Sequence, residues 1–281
     1  MKSIILIIKG FFIGLANVIP GVSGGTIALI LGIYEKLINT ISHFTKKIKE
    51  NILFILPIGI GMVLSILLSS GVIDYSYKNY PLATTLFFIG LVLGGVPFSY
   101  KKIKNKNNIS NWLIFLITFI LVITMSLLNG NSTNEVTLIN LDLFDYLKLF
   151  LVGIVASGTM IIPGISGSLV LMLLGYYYPI INLVKELTHF DNLGNNILIA
   201  LIFGIGLIIG IIGFAKLIEF LFKKYENKTN YGVLGFICAS IVAIPLSTFL
   251  KINYTFLPLE LVMGILLVII GFIISSKLGD K

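Results

Sequence analysis

Two short runs stand out by residue type and spacing: Pro20-Gly21-Val22-Ser23-Gly24-Gly25-Thr26 and Pro163-Gly164-Ile165-Ser166-Gly167-Ser168. In each, the proline withdraws a backbone donor and the glycines admit conformations that end one helix and begin another, so Pro20 and Pro163 are expected to be helix breaks. Both runs sit in strongly apolar surroundings. Unwound backbone at membrane depth is tolerated only where protein buries it or where it lines a polar cavity. A half-helix following such a break aims free N–H groups and a positive dipole end at that cavity, which suits a phosphate or a carboxylate. The hydroxyls of Ser23, Thr26, Ser166 and Ser168 can add donors, and Asn17, Ser157 and Thr159 are polar neighbours expected to face the same space. The plainer reading of the glycines is close helix approach, as small residues allow in membranes. Their duplication favours a site.

The two runs belong to a longer repeat. The stretch from Gly10, GFFIGLANVIPGVSGGTIALILGIYEKLIN, matches the stretch from Gly153, GIVASGTMIIPGISGSLVLMLLGYYYPIIN, at a constant offset. Gly10, Pro20, Gly21, Ser23, Gly24, Leu31, Gly32, Tyr34 and Asn39 meet Gly153, Pro163, Gly164, Ser166, Gly167, Leu174, Gly175, Tyr177 and Asn182. The match continues through Asn51-Ile-Leu with Asn196-Ile-Leu, Gly59-Ile-Gly with Gly204-Ile-Gly, and Pro97 with Pro245. The chain is therefore read as two copies, 1–130 and 145–281, joined by a polar linker, Asn129 to Asn140.

The elements that must carry these copies are membrane helices. With 281 residues, 57% hydrophobic and only 11% charged, and a mean hydropathy of +1.05, the chain has too little polar surface for a soluble globule. Apolar runs at 51–72, 82–100, 111–128, 196–222, 231–250 and 257–276 are each close to the roughly 20 residues that a crossing helix needs. The fold class is all-α and polytopic. The net charge of +8 comes from lysines in short loops, which points to membrane orientation and not to a nucleic-acid partner. The lack of arginine, with abundant Ile, Asn and Lys, fits an AT-rich prokaryotic source.

Lys46, Lys47 and Lys49, then Lys101, Lys102, Lys104 and Lys106, then Lys223, Lys224 and Lys228 mark three loops that should be cytoplasmic, as should both termini. The alternate loops, with Asp74 and Lys78, Glu135, Asp142 and Asp145, Lys185, Glu186 and Asp191, and Lys251, are neutral or acidic. For this pattern to hold, each motif leaves and returns on one side, and each copy then crosses three more times. An odd number of crossings turns the second copy upside down, the inverted-repeat plan of many secondary transporters. Making each motif a pair of full spans also gives an odd number. Lys9 lies 11 residues before Pro20 and Glu35 lies 15 after it, arms of roughly 16 to 22 Å against a half-core of about 15 Å. Re-entrant hairpins over about 10–41 and 148–185 are expected, each followed by three transmembrane helices. Tyr176, Tyr177 and Tyr178 suit an interfacial aromatic belt.

Other titratable residues receive plainer readings. Glu35 and Lys216 are candidates for a coupling or an interfacial role; Glu35, beside Lys36, reads better as a solvated interfacial residue. Lys216 and Glu219 are at helical spacing and read as a snorkelling pair. Glu260, after Pro258, is expected to face the dipole of the helix it starts. Cys238 is the only cysteine and is assigned to packing, so a disulfide framework is excluded. His43 and His189, with no Cys or Asp cluster nearby, do not make a metal site. The N-terminal stretch resembles a signal peptide, but its recurrence at 153–164 argues against that. No paired intramembrane carboxylates, nucleophile with a His partner or Walker-type loop is present. The expected class is a transporter and not an enzyme, with no cofactor; an ion gradient, Na⁺ or H⁺, or the substrate's own gradient supplies the energy.

AlaAsnValIleProGlyValSerGlyGlyThr at 16–26 and GlyIleTyrGluLysLeuIle at 32–38 resemble the opening signature of the PopT family of polyprenyl-phosphate translocases, long catalogued as a domain of unknown function. The resemblance covers the whole chain. It implies a flippase for undecaprenyl phosphate or a related lipid carrier, returning it across the cytoplasmic membrane for reuse in cell-envelope glycan synthesis. Carried onto this sequence, it makes Asn17, Gly21, Ser23, Gly24, Gly25 and Thr26 head-group candidates, with Gly164, Ser166, Gly167 and Ser168 opposite. Ser168 replaces Gly25 and Leu169 replaces Thr26, so the second loop is the less polar. With no intramembrane arginine, backbone and hydroxyl donors, with Lys216 as a further candidate, would hold the phosphate. The alternative is an ion-coupled transporter of a small soluble anion.

Overall fold

A computed structural model describes residues 2–18, 23–104, 108–128, 136–138, 141–188, 193–249 and 258–279. Pro20 and Gly21, most of the Asn129 to Asn140 linker, Lys106, Glu135, His189, Asp191 and Lys251 lie outside the described residues. Every described regular element is a helix: α1 (Lys2–Val18), α2 (Gly24–Ile30), α3 (Tyr34–Ser42), α4 (Ile48–Asn79), α5 (Pro81–Lys101), α6 (Ile109–Leu128), α7 (Leu143–Ile161), α8 (Gly167–Leu173), α9 (Tyr177–Thr188), α10 (Leu193–Lys224), α11 (Glu226–Phe249) and α12 (Pro258–Gly279).

Seven helices are long and apolar enough to cross a membrane: α4, α5, α6, α7, α10, α11 and α12. Six of them coincide with the apolar runs. The seventh, α7, starts earlier than the expected hairpin because Asp142 and Asp145 form a reciprocal capping box, Asp145 N–H to Asp142 Oδ1 at 2.7 Å and Asp142 N–H to Asp145 Oδ2 at 3.4 Å. Outward faces carry large aliphatics such as Leu67, Leu68, Ile109 and Ile117. Nothing in water would cover them, and lipid does.

Helix order and local geometry recur along the chain. α4 and α10 are both 32 residues, and α2 and α8 both seven. Both short helices end in the same Schellman turn. Gly32 (φ 70°) and Gly175 (φ 77°) take the left-handed position; Ile33 N–H donates to Ala28 O at 3.1 Å and Tyr176 N–H to Leu171 O at 2.9 Å. The buried Lys9 ammonium donates to Leu31 O at 2.5 Å, so Lys9 closes the end of α2. A cation at a helix C-terminus is favourably placed.

Packing is dominated by four helix pairs: α1 with α4, α7 with α10, α5 with α12, and α6 with α11. In each pair the register advances in the same direction on both helices: Gly10 meets Ile58 and Gly14 meets Met62, while Gly90 meets Val268 and Gly94 meets Phe272. All four pairs are therefore parallel. A Cβ on Gly61 would enter the Ile7 carbonyl and one on Gly206 the Phe150 carbonyl, so these glycines set the distance between helices. The last helix of each half packs on the other half: α6 lies on α11 and α12 on α5. The segments 1–130 and 145–281 therefore interlock.

The lysine-rich loops gather at one end, where Lys102 pairs with Glu35 at 2.6 Å and Lys104 with Glu226 at 2.8 Å. At the other end Glu260 stands in the first turn of its own helix, α12, and also serves a neighbour. Its Oε1 accepts from Leu82 N–H at 2.8 Å and Ala83 N–H at 3.2 Å, capping the neighbouring α5, whose first residue is Pro81. The parallel α5/α12 pair brings both N-termini together, and one buried carboxylate satisfies the donors of the other helix. Of the three tyrosines expected in an interfacial belt, Tyr176 is buried against Leu149 and Leu171, Tyr177 is half-buried and Tyr178 is exposed.

Candidate functional site

The second break is a tight turn. Ile162-Pro163-Gly164-Ile165 closes with Ile165 N–H to Ile162 O at 3.4 Å, with Gly164 at φ 86°, as a type II turn requires of its third residue. In the first copy Ser23 begins α2 by accepting from Thr26 N–H at 3.4 Å, the usual work of an N-capping serine. Ser166 occupies the same position before α8 without a side-chain cap and instead shares a 2.8 Å hydrogen bond with Ser168.

The two loops touch. Thr26 Oγ1 accepts from Gly164 N–H at 2.6 Å, and the Ser23 hydroxyl donates to Ile162 O at 3.4 Å. The Tyr34 hydroxyl donates to Ile161 O at 3.0 Å, at the end of α7. Pro163 interrupts the helix that would otherwise use the Ile161 carbonyl, and the Ile162 carbonyl accepts the Ser23 hydroxyl beside its own turn partner, Ile165 N–H. Ser23, Thr26 and Tyr34 are nearly fully buried. A buried backbone donor or acceptor left unpaired costs about 1–3 kcal/mol; here each motif supplies the partners that the other lacks.

Asn17 lies over Gly24, and Met160 lies over Gly167 in the same way, so close that a Cβ on either glycine would strike that side chain. Gly25 faces the Met160 and Ile161 carbonyls. Between the loops is a cavity of about 40 Å³ lined by Asn17, Ser23, Gly24, Met160, Ile165 and the Ser166 to Ser168 segment. Liquid water occupies about 30 Å³ per molecule, so this arrangement is closed to a phosphate group. The seven-residue lengths of α2 and α8 also leave little macrodipole. Any anion grip rests on hydroxyls and backbone N–H groups.

An apolar groove of about 530 Å³ opens beside the loops at Tyr34, Ile162 and Pro163 and runs between α6, α10 and α11 to Tyr225 and Lys228. Of the sequence candidates, Asn17, Ser23, Gly24, Ser166, Gly167 and Ser168 line the small cavity, while Thr26 and Gly164 are joined by the cross-loop hydrogen bond and Gly25 packs on the Met160 and Ile161 carbonyls. Ser157 is buried on α7, its hydroxyl bonded to Ile154 O at 3.0 Å, and Thr159 bonds Ala156 O at 2.7 Å. Glu35 lies away from the loops, paired with Lys102.

Lys216 is exposed on α10 and is not the partner of Glu219. Glu219 turns inward to Lys223 at 2.5 Å, His43 Nδ1 at 3.3 Å and Asn39 at 3.3 Å, because its face of α10 packs on α3. Cys238 is a free thiol packed near Tyr231 and Leu234. No group of three or more metal-ligating side chains exists among the described residues. Tyr34 and Met160 were not singled out from sequence. The repeated Gly-x-Tyr, Gly32-x-Tyr34 and Gly175-x-Tyr177, was the available signal for the first.

Seven helices long and apolar enough to cross a membrane, around a helix-broken centre and with large aliphatic side chains on the outside, define a polytopic membrane protein. The chain belongs to the VCA0040-like family, described as undecaprenyl phosphate translocase-like, whose model matches residues 13–254. It is 32% identical over 279 residues to a polyprenyl-phosphate transporter of Staphylococcus aureus, covering 97% of this chain and 95% of that one. It is 30% identical over 254 residues to a polyprenyl-phosphate transporter of Vibrio cholerae, covering 84% and 76%. No solved structure gives a significant match.

Proposed function

We propose that this protein moves undecaprenyl phosphate, or a related polyprenyl phosphate, across the cytoplasmic membrane of a prokaryote, returning the carrier for reuse in cell-envelope glycan synthesis. It carries the lipid without reacting with it. The observation that supports this most is the meeting of the two motifs through Thr26, Gly164, Ser23 and Ile162 around a small cavity with serine hydroxyls in its wall, and an apolar groove opening beside it. The phosphate binds between the loops and the prenyl chain stays in the groove and in lipid. Both relatives carry the same substrate class in their names.

The transport cycle in this proposal is alternating access: the loops separate to admit the head group, and the Ser166–Ser168 and Ser23–Ile162 bonds are exchanged for bonds to phosphate. The two six-helix halves are inverted repeats, with α1–α3 and α7–α9 as re-entrant hairpins. Parallel pairing of α1 with α4 and of α7 with α10 supports that reading; with α7 turning back inside the membrane, each half crosses three times and the second is inverted. Both termini and the lysine-rich loops face the cytoplasm. An ion gradient or the lipid's own gradient drives the movement.

The test is transbilayer movement of a fluorescent polyprenyl phosphate in proteoliposomes under imposed Na⁺ or proton gradients. We expect acceleration over protein-free vesicles that excess inorganic phosphate leaves unchanged. A rate equal to that of protein-free vesicles overturns the proposal.

A further inference from the structure

The basic end of the molecule holds a recess of about 510 Å³ that does not include the motif residues. Lys101 and Lys102 close α5, Lys104 follows, and Lys223 comes from α10; facing them are Glu35, Glu219 and Glu226. Lys102 pairs with Glu35 and Lys104 with Glu226 across different elements, and the Glu35 and Glu226 side chains are 57% and 53% exposed. Ion pairs so exposed contribute little to stability and exchange readily for another anion. Asn230, only 6% exposed, adds a fixed amide to the same wall.

This recess adjoins the apolar groove, and Phe222 is a wall of both. The Phe222 ring packs edge-on against Tyr34, with centroids 6.4 Å apart, and Tyr34 in turn holds the end of α7. A polar, cation-rich chamber and an apolar trough therefore meet at one side chain, and the trough leads back to Pro163. A phosphate on a long isoprenoid chain has one end suited to each.

We infer that the recess is a second head-group station for the prenyl phosphate. In it Lys102 and Lys104 turn from Glu35 and Glu226 to the phosphate oxygens while the chain lies along the groove past Phe222. The inference rests on the reading of the protein as a lipid-phosphate transporter. Lysine suits a transient hold because it is a flexible point charge without the bidentate fork of arginine, which this chain lacks entirely. Such a grip can let go.

Equilibrium binding of a fluorescent polyprenyl phosphate to the full chain in nanodiscs tests it, with Lys102→Gln plus Lys104→Gln and Glu35→Gln plus Glu226→Gln as paired variants. The lysine double variant is expected to weaken binding about fivefold and the glutamate double variant, which frees both ammonium groups, to tighten it about threefold. If the pairs only hold the helices together, both variants shift affinity in the same direction, and that result overturns the inference, as does unchanged affinity in both. Displacement of the lipid by millimolar inorganic phosphate overturns the lipid as occupant. Wild-type protein that binds no polyprenyl phosphate overturns the inference together with the reading beneath it, whereas wild-type binding with unmoved variants overturns the inference alone.

Discussion

Thr26 is the residue on which the two loops most depend, because its oxygen is the acceptor for Gly164 N–H at 2.6 Å in a fully buried position. Thr26→Val keeps the shape and removes the acceptor, leaving a buried donor unpaired at a cost of about 1–3 kcal/mol. Thr26→Ser keeps the oxygen. Thermal unfolding in detergent should show a lowered midpoint for valine and a smaller change for serine; equal midpoints for the two would contradict the cross-loop bond. The residue types at the centre were legible in the sequence, since a proline, glycines and hydroxyls in an apolar setting announce a broken helix with polar work to do. Their partners were not. That Thr26 serves Gly164 and Tyr34 serves Ile161 depends on contacts across more than a hundred residues, which local pattern does not encode. The burial of Lys9 and the turn of Glu219 away from Lys216 were hidden for the same reason.

Helices in this protein are spaced by small residues at particular places and not by glycine content as such. Gly61 and Gly206 abut the backbone of the partner helix, where nothing can give way, whereas nothing lies within 4 Å of a Cβ built on Gly59 or Gly204. Gly61→Ala or Gly206→Ala should cost about 1–3 kcal/mol through overpacking, read as a lowered melting midpoint, while Gly59→Ala and Gly204→Ala leave it unchanged or raised. Equal effects at the four positions would contradict the packing. Crossing helices were easy to read, because a run of about 20 apolar residues has few other uses. Which helix packs on which was not: these segments are apolar all round, so periodicity names no partner face. The exchange of α6 and α12 between halves and the capping of α5 by Glu260 therefore emerged only in three dimensions. The early start of α7 was visible in Asp142 and Asp145, three residues apart before an apolar run, the pattern of a capping box.

At the scale of the molecule, the lysine-rich loops gather at one end, and their proposed cytoplasmic placement has a direct check. With Cys238→Ala removing the only native thiol, Lys104→Cys should react with a membrane-impermeant maleimide only in inside-out vesicles, and Gly194→Cys, at the exposed start of α10, only in intact cells. The reverse pattern would invert the topology. The sequence match between the two segments was plain, and Gly32 and Gly175, which correspond in it, make the same left-handed turn.

If the two loops form one head-group site, the rate of polyprenyl-phosphate movement in proteoliposomes depends on both. Ser23→Ala combined with Ser166→Ala removes one hydroxyl from each loop. The account predicts a fall of about tenfold or more, given the usual worth of hydrogen bonds to a charged group, in protein that still unfolds cooperatively. A double variant that moves the lipid at the wild-type rate would contradict it.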